Sequence, residues 1–144
     1  MTTTRGAPGH GWCSLRLRFD ERELTLLKGA EHARGAALAH NPRSDMLRTA
    51  LALSKAGQKL RHASPGASLT FEEPELLLLL EAVRFANDEI HWAAAQRDNG
   101  AGERKQAVLD AFPELVERGL WRSFGLTREL DELIQRLDVA LRSM

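Results

Sequence analysis

Residues 17–30 and residues 69–82 follow one pattern at an offset of 52. Leu17, Phe19, Glu21, Glu23, Leu24, Leu26, Leu27 and Ala30 recur as Leu69, Phe71, Glu73, Glu75, Leu76, Leu78, Leu79 and Ala82. Asp20 recurs conservatively as Glu72. Both stretches read as a strand, an acidic cap and a helix, and each is followed by a loop and a second helix. Two copies are too few for a solenoid, which needs about three repeats to bury a continuous core. They suit a single domain in which equivalent strands pair or equivalent helices pack.

The period of the apolar residues sets the elements. Residues 13–19 alternate, with Leu15, Leu17 and Phe19 on one face and Ser14, Arg16 and Arg18 on the other. Period two marks a half-buried strand. Asp20 then caps a helix to about residue 40, with Glu21 and Glu23 where the helix dipole favours acids. Gly29 and Gly35 each weaken that helix by up to about 1 kcal/mol relative to alanine. Pro42 separates it from a second helix over about 44–62, with Met46, Leu47, Ala50, Leu53 and Leu60 inward. Residues 63–67 punctuate the chain before a short strand at 68–71 and the longest helix, about 72–97. Further helices are expected at 103–111, after Pro113, and from a Thr127 cap to about residue 142. The expected fold is mainly α: five or six helices with at most one short two-stranded ribbon. Residues 1–12 read as a disordered arm before a single domain over 13–144.

Charge divides along the same boundary. Residues 1–65 carry eleven bases and five acids; residues 66–144 carry nine bases and fifteen acids. The net charge of zero is thus +6 set against −6, which excludes a uniformly basic nucleic-acid coat and an acidic solvating tail. The single cysteine, Cys13, excludes an internal disulfide and suggests a reducing compartment. No long apolar run or leader-like stretch is present, so a cytoplasmic location is expected. Sixteen arginines against four lysines suggest a GC-rich bacterial coding sequence.

Catalytic chemistry finds little support. No nucleophile elbow, phosphate-binding loop, dinucleotide fingerprint or H-E-x-x-H motif occurs. Asp88 and His91 are spaced as half of a helical di-metal motif, but the other half is missing. His32 and His40 stand two turns apart, too far for one metal ion. The chain is therefore expected not to be an enzyme and to hold no metal or cofactor. Two surfaces stand out instead. Leu78, Phe85 and Trp92 form a second apolar side on the longest helix, either buried centrally or offered as a partner interface. Arg48, Lys55 and Lys59 form a basic stripe on the second helix, either a solvated face or a contact for phosphates or an acidic partner. The expected function is protein–protein interaction, as a regulator, an adaptor or a toxin-neutralising partner. The expected partner is another protein or a second copy, a homodimer.

The run Pro42-Arg-Ser-Asp-Met-Leu-Arg-Thr-Ala-Leu51, after a strand and a helix, resembles the ribbon-helix-helix family of DNA-binding regulators over residues 13–62. The resemblance implies that Arg16 and Arg18 enter a major groove and that the helix start at Ser44 clamps a phosphate. This is the alternative function. Phe124-Gly-Leu-Thr-Arg128 resembles a helix-turn-helix turn, but Asp131 stands where that motif wants an apolar residue. In the second half, LTFEEPELLLLLEAVRFANDEI and RSFGLTRELDELIQRL are similar to small uncharacterised bacterial proteins, which implies no chemistry.

Overall fold

The structure is a computed structural model that describes residues 2–5, 13–39, 43–96 and 102–144. Three strands, β1 (Thr2–Arg5), β2 (Cys13–Arg18) and β3 (Ser68–Glu72), form one antiparallel sheet in the order β1-β2-β3. Six α-helices accompany it: α1 (Glu21–Ala39), α2 (Ser44–Arg61), α3 (Glu73–Ala95), α4 (Gly102–Ala111), α5 (Glu114–Arg118) and α6 (Phe124–Arg142). A 3-10 turn, Leu120–Arg122, leads into α6. The class is mainly helical with one small sheet. Among the described residues, no helix is long and apolar enough to cross a membrane.

The expected arm needs correction. Thr2–Arg5 is a strand paired with residues 13–16, so the sheet is one strand wider than the two-stranded ribbon expected. The cause is the free edge of β2, whose backbone N–H and C=O groups accept a further strand. Three successive threonines favour the extended state. The rest of the arm, and His40, lie outside the described residues.

The sheet joins both halves of the chain. Leu15 lies opposite Phe71, and Leu17 opposite Leu69. Leu15, Leu17, Phe19 and Phe71 are buried, while Arg16, Arg18, Ser68 and Thr70 are exposed. The Phe19 and Phe71 rings meet at 6.2 Å and 60°, a tilted aromatic contact.

α1 and α3 leave the sheet through the same device. The Glu23 backbone N–H donates to Asp20 Oδ1 at 2.7 Å, and the Asp20 N–H donates to Glu23 Oε1 at 3.0 Å. Glu72 and Glu75 form the equivalent capping box on α3, where the Glu72 N–H donates to Glu75 Oε1 at 2.9 Å. Each box satisfies donors that the first helical turn leaves without partners.

α2 returns to the sheet. Lys59, near its C-terminal end, donates to the Thr70 carbonyl at 3.0 Å and to Glu75 at 2.7 Å. Gly66, at φ +78°, makes the tight link into β3 and donates its N–H to the Phe19 carbonyl at 2.9 Å. α6 lies on α3, and its Leu126, Leu130, Leu133, Leu137 and Ala140 are all buried. Its apolar stripe has the expected period, but its start differs. The helix begins at Phe124, so Thr127 is inside the first turn rather than capping it. The preceding 3-10 turn runs straight into α6, and the Thr127 N–H bonds the Ser123 carbonyl. The buried Thr127 hydroxyl donates to the Phe124 carbonyl at 3.0 Å.

Candidate interaction surface

The longest helix divides its apolar sides unequally. Leu76, Leu79, Leu80, Val83, Ala86 and Ile90 are buried. Leu78, Phe85 and Trp92 are half-buried and pack against the core. The chain itself covers part of two of them. The Arg34 guanidinium stands 4.9 Å from the Phe85 ring centre, and Arg104 stands 3.7 Å from that of Trp92. Arg104 also forks onto Glu89 at 2.9 and 2.6 Å, and these bonds raise its pKa. Phe85, Ala33, Ala37, Ala107 and Val108 line a cleft of about 420 Å³ between α1, α3 and α4, and the Arg104–Glu89 pair also lines it. Alanine makes the space, and Glu89, Glu103 and Arg104 are the charged residues of its lining.

The basic stripe of α2 splits in two. Arg48 and Lys55 are exposed. Lys59 is spent within the chain, on Thr70 and Glu75. Beside the two exposed cations lie Leu47, which periodicity sets on the inward face, and Leu51, which it does not single out; the structure exposes both. Leu51 is 67% exposed and Leu47 is 47% exposed, one turn apart. Met46, Ala50, Leu53, Ala56 and Leu60 already supply the inward face of α2. The two leucines are surplus to it. An inside/outside tally of residue types could have found them, since α2 carries more large apolar residues than one face holds.

The ribbon face is open. Arg16 is opposite Thr70, Arg18 is opposite Ser68, and the exposed Glu72 is opposite Ser14. Ser44 starts α2, fifteen residues before the Lys59 tether. At the rise of an α-helix that is about 22 Å of axis, so Ser44 and the sheet lie at opposite ends of α2. Asp88 and His91 are both exposed. Among the described residues no three His, Cys, Asp or Glu side chains gather in a metal-holding group. Cys13 is a free, half-buried thiol.

A further polar cluster joins distant parts of the chain. Arg22 bonds Glu129 at 2.7 and 3.0 Å and Glu114 at 2.8 and 3.1 Å. The bonds from Glu129 and then Glu114 hold the guanidinium charged well beyond its ordinary range, and Arg22 holds the Glu129 carboxyl below its own. Arg136 pairs with Glu23, bonds the Arg18 carbonyl and stands 4.9 Å from the Phe19 ring centre. These contacts tie α5 and α6 to α1 and the sheet. No family model, curated protein or solved structure matches this chain.

Proposed function

We propose that this chain is a non-enzymatic protein that acts through protein–protein contact, as a regulator, adaptor or toxin-neutralising partner. The observation that carries the reading is the pair Leu47 and Leu51, exposed one turn apart on α2 and flanked by Arg48 and Lys55. Single exposed leucines are ordinary on protein surfaces. Two on one helical face, bordered by cations, make a patch that a partner can cover. Covering each would contribute on the order of 1–2 kcal/mol, and an acidic rim on the partner would set orientation. A cytoplasmic setting accords with the lone, unpaired Cys13.

The test is the mass of the native assembly in an extract of the producing cell. The wild-type chain should run well above its own 16.0 kDa on size exclusion. Leu47→Asp with Leu51→Asp should run at the mass of the single chain, with an unchanged circular dichroism spectrum. A wild-type chain that runs alone overturns the reading.

A DNA-binding role of ribbon-helix-helix type is the second reading. It is favoured by the antiparallel pairing of β2 with β3 and the exposure of Arg16 and Arg18. Two features oppose it. A third strand makes the sheet wider than the two-stranded ribbon a major groove admits. The helix start at Ser44 lies far from the sheet, where it meets no phosphate of the same groove. This reading expects duplex binding that falls steeply with salt and is lost in Arg16→Ala with Arg18→Ala. No gel shift at low salt removes it.

A further inference from the structure

The outward faces of α2 and α3 carry opposite charge at matching spacing. On α2, Arg48 and Lys55 stand seven positions apart with Leu51 between them, about 10.5 Å of helix axis. On α3, Glu73 and Glu81 stand eight positions apart with Leu77 between them, about 12 Å. All six side chains are exposed, with Leu77 at 46%. From residue 46 to residue 62 there is no acid, and from 73 to 83 there is no base. Among the described residues, Arg48, Lys55, Glu73 and Glu81 take part in none of the ion pairs, which use their neighbours Lys59 and Glu75.

We propose that these faces bind each other between two copies of the chain, α2 of one against α3 of the other. The proposal rests on the protein-contact reading above and names its partner as a second copy. Each face runs charge, leucine, charge, so Leu77 can sit against Leu47 and Leu51 while each acid meets a cation. Pairing α2 with α2, or α3 with α3, sets like charges together and is disfavoured. α2 and α3 pack against one another within the chain. A twofold axis that lays α2 on the partner's α3 therefore lays α3 on the partner's α2, and the contact closes as a dimer.

Sedimentation of the purified protein tests this. The wild-type chain should form a dimer that weakens as salt rises. Arg48→Glu with Lys55→Glu makes both faces acidic; Glu73→Lys with Glu81→Lys makes both basic. Each double variant alone should self-associate at least about tenfold more weakly than the wild type. Mixed together, the two should form a heterodimer, because each supplies the charge the other lost. Circular dichroism confirms that both fold. Variants as dimeric as the wild type, or a mixture that stays monomeric, overturn the proposal. A wild-type chain that is monomeric when pure also overturns it. If that monomer still joins a larger assembly through Leu47 and Leu51 in the extract, the second copy is excluded while the protein-contact reading stands.

Discussion

Leu17 stands directly opposite Leu69 in the antiparallel register of β2 and β3. These are the two leucines that the 52-residue alignment equates, and the same offset separates Glu21 from Glu73, where α1 and α3 begin. Around this pair, equivalent positions exchange places across the sheet. Arg16 corresponds to Ser68, and Arg18 corresponds to Thr70. The outward residues of β2 are therefore basic, and those of β3 are neutral or acidic.

Gly29 and Gly35 lie in one helix and should respond oppositely to alanine. A Cβ at Gly29 would come within 2.7 Å of the Phe112 ring and 2.8 Å of the Ala111 carbonyl oxygen. Backbone cannot retreat cheaply, so Gly29→Ala should destabilise by about 1–3 kcal/mol. A Cβ at Gly35 meets nothing within 4 Å. Gly35→Ala should stabilise by about 0.5–1 kcal/mol through helix propensity. Urea midpoints of the two variants check the opposite signs.

The Arg22–Glu129 pair predicts a pH dependence. Arg22 holds the folded Glu129 carboxyl below its ordinary 4.5. A depressed carboxylate contributes stability that is present above the unfolded value and is lost as pH falls through the folded one. Both side chains are more than a third exposed, so the contribution is under about 1 kcal/mol. Glu129→Gln should be less stable than the wild type at neutral pH, and the difference should vanish in acid. Denaturation midpoints across that range test it.

Asn87 is 7% exposed, and its Nδ2 donates to Asp131 Oδ1 at 2.8 Å. Asn87→Asp would set two carboxylates against each other and remove the donor. It should cost about 2 kcal/mol or more at neutral pH. Repulsion would raise the pKa of the carboxylate pair, so stability should recover as acid supplies the shared proton. A thermal melt at two pH values checks this reversal.

Legibility in the sequence followed the range of the interactions. β2, β3 and both capped helices were readable because alternation and capping act within a few residues. Asp131 was visible as the residue that spoils a helix-turn-helix phase, but its reason, Asn87, lies 44 residues away. Arg22 gave no signal, since its partners are 92 and 107 residues distant. The edge pairing of Thr2–Arg5 depends on which strand is left open, which no local pattern states. Helical periodicity puts Leu78, Phe85 and Trp92 on one side of α3 but does not say what Arg34 and Arg104 cover. Lys59 belonged to a basic stripe on the same logic, until Glu75 and Thr70 claimed it.

The most direct measurement places a photo-crosslinking residue at Ala52, exposed next to Leu51, and another at Thr25, exposed on α1. If α2 is the contact surface, irradiation in the producing cell should yield a protein adduct from position 52 and none from position 25. No adduct from position 52, or equal yields from both, would contradict the account.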